Sequence, residues 1–229
     1  MLDDPPLLTI HRGHRRPDSA LIGRFRGTQT SHLVDAMDGR GAMDWQIKPM
    51  DPANAAFVGP ALTAFAYPAD VVAVLGALGE AQAGDVIVVA NDGYRATAVI
   101  GDLVAGMMKN RGVAAFVTDG LGRDRAGILA AGMPLFAAGI VPTSPANNGP
   151  GVVGAPVVCG GVAVRSGDII VGDADGVVVV PQERAEAVLA NLDRVRAAEA
   201  RAVAAVEAGA TETEKVRKLI AAATVVERG

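Results

Sequence analysis

Gly84-Asp85-Val86-Ile87-Val88-Val89-Ala90, then Gly101-Asp102-Leu103 through Asn110-Arg111-Gly112, then Val113-Ala114-Ala115-Phe116-Val117-Thr118-Asp119-Gly120-Leu121-Gly122-Arg123-Asp124: this stretch decides the fold. Its two apolar runs are short, rich in valine and carry no charge, the pattern of strands buried on both faces. Between them lies a segment opened and closed by glycine, with the length of a helix. Upstream, residues 70–82 read as a helix feeding the Gly84-Asp85 turn, and residues 56–67 read as a strand broken at Gly59-Pro60. Downstream, a short helix to Ala131 leads to the strand Leu135-Phe136-Ala137-Ala138. Strand, helix, strand, helix, strand implies parallel pairing with right-handed crossovers.

Outward from this centre the chain is more varied. Residues 1–17 are polar and rich in Pro and Arg, and read as an irregular arm. Asp18-Ser19 caps a helix to about Arg26, and Thr30-Ser31 caps another that Gly39 and Gly41 stop. Residues 141–155, rich in Pro, Gly and Asn, read as a long loop of the kind that often carries function. Val157–Val164, Asp168–Val171 and Val177–Val180 form β-runs of a meander or partial barrel. A helix from Gln182 to about Ala208 carries an apolar stripe of Ala185, Val188, Leu192, Val195, Ala202 and Val206. Thr211 caps a final helix, with Glu214 as its capping-box partner. The expected organisation is an arm (1–17), one α/β domain (18–209) and a helical tail (210–229).

Composition narrows the function. Half of the 229 residues are hydrophobic but 3% are aromatic, so the core is built from Ala, Val, Leu and Ile. A net charge of -4, with no basic block, argues against nucleic acid and anionic membranes as partners. The single cysteine, Cys159, excludes a disulfide within the chain and a cysteine-based zinc site, and fits a cytoplasmic location. The three histidines, His11, His14 and His32, show no zinc spacing, so a metal here would rely on carboxylates and water, favouring Mg²⁺ or Mn²⁺. The acidic start lacks the features of a signal peptide, and no apolar run reaches the roughly 18 residues that span a bilayer.

Three places can carry chemistry. The loop Gly120-Leu121-Gly122-Arg123-Asp124 follows a presumed parallel strand, where open α/β sheets bind ligands. Arg123 can grip a carboxylate or developing enolate and Asp124 can hold a cation; the alternative is a surface ion pair with Asp124 as helix cap. At Gly101-Asp102-Leu103-Val104, the amides of Leu103 and Val104 can form an anion site at a helix start, and Asp102 can accept a proton; the alternative is plain capping by Asp102. Glu199 falls on the apolar stripe and must be paired or near a metal if buried, a salt bridge to Arg196 or Arg201 being the alternative. His32, Asp35, Asp119 and Cys159 read as structural, and Gly172-Asp173-Ala174-Asp175-Gly176 as a turn.

Together these markers resemble the RraA-like family, which includes the class II 4-hydroxy-4-methyl-2-oxoglutarate/4-carboxy-4-hydroxy-2-oxoadipate aldolases. The resemblance runs from about Asp35 to Gly209. It rests on Gly59-Pro60-Ala61-Leu62-Thr63, Gly84-Asp85-Val86-Ile87-Val88, Gly101-Asp102-Leu103, Arg111-Gly112-Val113, Thr118-Asp119-Gly120, Arg123-Asp124, Pro134, Phe136, Gly139, Pro142 and the run Gly172 to Pro181. The resemblance implies a layered α/β sandwich, a central sheet or barrel flanked by helices and related to swivelling phosphohistidine domains, assembled as homotrimers or homohexamers. It implies that Asp124 ligates Mg²⁺ or Mn²⁺ directly, with Asp102 and Glu199 acting through water, Glu199 from a neighbouring subunit. Arg123 would bind the keto acid and stabilise its enolate, while Gly101 and the amides of Leu103 and Val104 hold the substrate carboxylate. The implied activity is metal-dependent retro-aldol cleavage of 4-hydroxy-2-keto diacids to pyruvate and a second keto acid, with oxaloacetate decarboxylation beside it. The family also contains non-catalytic regulators that bind a ribonuclease, and an old label of menaquinone methyltransferase; no glycine-rich S-adenosylmethionine loop supports the latter here. Gly122, where bulkier residues are usual, Arg125, and the long basic arm depart from the family pattern.

Overall fold

The computed structural model describes residues 4–226, so the first three residues of the expected arm and the last three of the expected tail lie outside the described residues. The chain begins with β1 (Leu8–Ile10), α1 (Ser19–Gly23), α2 (Thr30–Ala36), β2 (Lys48–Pro49) and β3 (Phe57–Ala66). The central units follow: α3 (Val72–Glu80), β4 (Val86–Ala90), β5 (Ala98–Ile100), α4 (Asp102–Asn110), β6 (Ala115–Thr118), β7 (Leu121–Gly122), α5 (Arg125–Ala131) and β8 (Leu135–Ala137). Then come β9 (Gly151–Val153), β10 (Val157–Cys159), β11 (Val162–Val164), β12 (Ile169–Asp173), β13 (Gly176–Val180), α6 (Ala185–Glu207) and α7 (Glu214–Ala222).

The main sheet runs β1-β9-β3-β4-β6-β8-β2, with β3, β4, β6 and β8 parallel to one another, as the alternation of runs and helices predicts. Strand alternation sorts its side chains into two layers. Leu62, Ala64, Ile87, Val89 and Phe116 face α3, α4 and α5 through Ala73, Ala77, Ala105, Met108 and Ile128. Ala61, Val86, Val88, Val117 and Phe136 face the hairpin strands through Val157, Cys159, Val164, Ile170 and Val179. The outer face of the β12–β13 hairpin is covered in turn by Leu33 and Ala36 of α2 and by Ala185, Val188, Leu189 and Leu192 of α6. The layers are therefore helices, sheet, hairpins and helices. No helix among the described residues is long and apolar enough to cross a membrane.

Several expectations change. The strand at 56–67 is continuous through Gly59-Pro60. What breaks there is its pairing, antiparallel to β12 over Phe57–Pro60 and parallel to β4 from Ala61. Gly59 permits this handover, because a Cβ there would lie 2.3 Å from the Gly84 carbonyl oxygen. The arm is not irregular throughout. β1 pairs parallel with β9, a strand inside the segment read as a loop, and so satisfies an otherwise bare sheet edge. Val157–Val164 is a hairpin turning at Gly160-Gly161 rather than one run. The last helix is capped by Thr213, whose hydroxyl accepts from the Val216 N–H, and not by Thr211. Thr30 is the first residue of α2 and not its cap; its N–H and hydroxyl both donate to Asp173, the last residue of β12.

Candidate active site

Two helices begin side by side at the C-terminal end of the parallel strands, and each brings a carboxylate to the other. α4 starts from Gly101, whose extended backbone (φ -130°, ψ -178°) is its N-cap, so Asp102 is the first helical residue and not the cap. α5 starts from Asp124, which holds the N-cap position in the left-handed conformation (φ 57°, ψ 46°), with a side chain that caps nothing. Asp124 thus holds the cap position of α5 without a side-chain capping bond, and Asp102 stands one residue past the cap of α4, its Oδ1 accepting the Leu103 N–H. A non-glycine residue in the left-handed conformation of Asp124 costs roughly 1 kcal/mol, retained where the surroundings impose it.

Glycine makes room for each approach. A Cβ on Gly101 would lie 2.8 Å from Asp124 Oδ2 and 3.1 Å from Arg123 Nε, so the side chains of the α5 entry lie against the α4 cap. A Cβ on Gly127, in the first turn of α5, would lie 2.2 Å from Asp102 Oδ2. The two carboxylates are thus exchanged crosswise between the helix starts. Beside Asp124, Arg123 Nε faces Oδ2 at 3.1 Å, and Arg123 Nη1 donates to the Ser144 hydroxyl. The Arg123 backbone is fixed by its N–H to the Ile100 carbonyl at 2.9 Å, within a small ladder of β5 and β7.

The same ladder accounts for Gly122. A Cβ there would lie 2.3 Å from the Met50 methyl carbon, so Met50 fills the space that a larger residue would need. Arg125 turns away and donates to the Met50 carbonyl at 3.0 Å.

The side chains of Arg123 and Asp124 are 34% and 42% exposed, so the group is open to solvent. A hollow of about 440 Å³ lies elsewhere: Arg26, Thr28, Phe57 and Gly84 line it near the N-terminal ends of β3 and β4. The Leu103 and Val104 amides stand in the first turn of α4, and the Leu103 N–H is occupied by Asp102 Oδ1 at 2.7 Å. Among the described residues no cluster of three or more His, Cys, Asp or Glu side chains could ligate a metal. Asp102 and Asp124 offer hard carboxylate oxygens, a donor type that suits a divalent cation keeping most of its waters rather than zinc.

Glu199 does not join this group within one chain. The expected buried stripe of α6 ends near Val195; beyond it the helix runs free, and the Glu199 side chain is 54% exposed, with Oε1 4.0 Å from His32 Nε2. It lies in the layer with α2, across the sheet and hairpins from α4 and α5. Its partner in the chain is thus His32 and neither Arg196 nor Arg201; Arg196 donates instead to Thr28. Asp119 serves the backbone as expected, accepting the Asn91 N–H at 2.7 Å, and burial raises its pKa against the pull of those backbone bonds. Sequence reasoning missed Gly127 and Ser144. Nothing marks Gly127 in the sequence, whereas Ser144 lies in the 141–155 segment already singled out.

Comparison with known proteins gives the family and the fold. Residues 30–179 match the model of the RraA-like family, described as Aldolase/RraA. A protein of Halalkalibacterium halodurans, named "Putative 4-hydroxy-4-methyl-2-oxoglutarate aldolase", is 43% identical over 168 residues, 73% of this chain and 80% of that protein. A solved structure of an uncharacterized protein from Pseudomonas syringae pv. tomato superposes with a TM-score of 0.76 at 28% identity, covering 86% of this chain and 97% of the other. Another, from Streptomyces coelicolor and described as an unusual member of the RNase ES inhibitor RraA protein family, gives a TM-score of 0.73 at 28% identity, covering 82% and 98%.

Proposed function

The chain belongs to the RraA-like family, and from that premise we propose that it is a divalent-metal-dependent carbon–carbon lyase that cleaves 4-hydroxy-2-keto diacids to pyruvate and a second keto acid. The observation that carries this reading is the crosswise approach of Asp102 and Asp124 to Gly127 and Gly101, with Arg123 beside Asp124. A surface ion pair has no need of two glycines cleared for carboxylates.

Asp124 would hold Mg²⁺ or Mn²⁺ directly and Asp102 through water, and the cation would supply Lewis acidity to the keto acid. The substrate carboxylate docks on the Leu103 and Val104 amides at the positive end of α4. Because Asp102 occupies the Leu103 N–H in the free chain, docking displaces its carboxylate and releases it to work as a base. Asp102 then receives, through water, the proton of the 4-hydroxyl. The C3–C4 bond breaks, its electron pair becomes the C2–C3 double bond, and the former carbonyl oxygen takes the charge. Arg123 neutralises that oxygen with N–H groups held in place beforehand. Proton return to C3 gives pyruvate. Oxaloacetate losing CO₂ leaves the same enolate, so decarboxylation accompanies cleavage.

The half-open site fits a homotrimer or homohexamer in which a neighbour's α6 closes it and brings Glu199 to its water shell. The projecting second half of α6 supports that arrangement. A second reading, a non-catalytic regulator docking to a ribonuclease or other protein, draws support from the likeness to the RNase ES inhibitor family member. The test incubates the protein with oxaloacetate or 4-hydroxy-4-methyl-2-oxoglutarate and Mg²⁺, and follows pyruvate before and after EDTA. Metal-dependent pyruvate is expected; none from either acid favours the regulator.

A further inference from the structure

The Arg123 guanidinium is held from two directions. Asp124 Oδ2 faces Nε at 3.1 Å, and Ser144 accepts from Nη1. The ion pair holds one side of the planar group by charge and the Ser144 bond gives it a direction, with Nη2 and the second Nη1 hydrogen left for a ligand oxygen.

Ser144 belongs to a segment without helix or strand before β9, rich in residues that favour turns. Left to itself such a segment would move, yet its backbone is tied on three sides. The Ala98 N–H donates to the Thr143 carbonyl at 3.0 Å, the Ala146 N–H to the Ala69 carbonyl at 2.7 Å, and the Val141 N–H to the Gly122 carbonyl at 2.9 Å. Asp70 supplies the fourth tie. It is 3% exposed and makes no ion pair among the described residues. Its Oδ1 accepts the Val72 N–H at 2.7 Å, while Oδ2 accepts the N–H groups of Asn148 at 2.6 Å and Gly149 at 2.9 Å. A buried carboxylate is expensive unless it is bonded, and here all the bonds join the start of α3 to the far arm of the Ser144 loop.

We propose that Ser144 is a positioning residue that sets the plane of the Arg123 guanidinium, and that Asp70 holds the loop so that Ser144 stays in place. The inference rests on the catalytic reading of Arg123. Donors that stabilise a developing oxyanion work because they are aimed before the charge appears; Asp124 alone leaves the guanidinium free to turn about its single anchor.

Ser144 is exposed, so Ser144→Ala removes the hydroxyl without touching the core, and Ser144→Thr retains it. With Mg²⁺ and oxaloacetate, Ser144→Ala loses about tenfold or more in kcat with KM little changed, while Ser144→Thr stays within roughly threefold of wild type. Oxalate, a planar dianion shaped like the pyruvate enolate, loses affinity in parallel when titrated calorimetrically. Asp70→Asn lowers turnover in the wild-type background and adds little to Ser144→Ala, the non-additivity expected of residues acting through one another; if that variant does not fold, the Ser144 pair decides. Wild-type turnover and oxalate affinity in Ser144→Ala overturn the proposal. The Arg123 Nη resonances in a ¹⁵N spectrum separate this outcome from failure of the catalytic reading. They are resolved in wild type and averaged in Ser144→Ala if the clamp exists, whether or not the protein makes pyruvate; averaged signals in both proteins refute it.

Discussion

Gly101→Ala tests the site by adding one methyl group. The backbone there (φ -130°, ψ -178°) is extended and open to any L-residue, so alanine brings no conformational strain. As a helix cap alanine is worse than glycine by several tenths of a kcal/mol, and the reduced freedom of the unfolded chain offsets this by about 0.4–1 kcal/mol. Stability should therefore stay within about 1 kcal/mol of wild type. The active site should not be spared. The new Cβ lies 2.8 Å from Asp124 Oδ2, 3.1 Å from Arg123 Nε and 3.3 Å from Arg123 Cγ. Ordinary contact begins near ~3.5 Å, so carboxylate and guanidinium must both withdraw by several tenths of an ångström, against the Ser144 anchor. A displacement of ~1 Å at a reacting group costs about a hundredfold. The expected loss in kcat/KM is thus about ten- to a hundredfold, or about 1.4–2.8 kcal/mol. The assay is the initial rate of Mg²⁺-dependent pyruvate formation, coupled to lactate dehydrogenase, beside a thermal melt. An unchanged melt with wild-type kcat/KM would refute the idea that this approach matters to function.

Three further outcomes follow from the same geometry. Gly127→Ala places a Cβ 2.2 Å from Asp102 Oδ2 and 2.5 Å from Asp102 Cβ, so α4 and α5 must part, at about 1–3 kcal/mol of stability and most of the turnover. Asp102→Gly in that background should recover the melting temperature but not the activity; recovery of neither breaks the link between the two positions. Asp168 has a raised pKa, chiefly because it is buried, with the Arg165 and Gln182 backbone N–H groups opposing and Glu183 adding. The folded state then holds this proton more tightly than the unfolded chain. Its contribution is full below the ordinary carboxylate value and is lost as pH rises through the folded one. Melting temperatures of wild type minus Asp168→Asn should fall across that window, and a flat difference counts against it. Burial pushes the Cys159 thiol up, far from the thiolate, so a thiol reagent at neutral pH should react only after denaturant is added; rapid labelling of native protein would contradict the placement.

Much of the architecture can be read from periodicity. β4 throughout and β6 up to Thr118 are apolar because helices cover one face of the sheet and hairpins the other. The α4 boundaries at Gly101 and Asn110 follow from local glycine punctuation. The additions at the sheet edge are not legible in this way. β1 and β9 are three residues each, pair across most of the chain, and carry too few side chains for a period to show. The exposure of Glu199 was equally hidden, since the stripe continues in sequence past the point where the hairpin surface ends.

For the site, residue types and their order made Asp102, Arg123 and Asp124 candidates beside plain structural alternatives, and the family resemblance singled them out. Their arrangement was decided by tertiary packing. Gly127 clears Asp102 and Gly101 clears Asp124 only because two helices, from separate strand crossovers, start against each other. Ser144 meets Arg123 because backbone bonds and Asp70 tie its loop to segments distant in sequence. Local sequence dictates what one helix or strand prefers, since those preferences act over a few residues. Where two chain segments meet depends on contacts between residues far apart, which no short window contains.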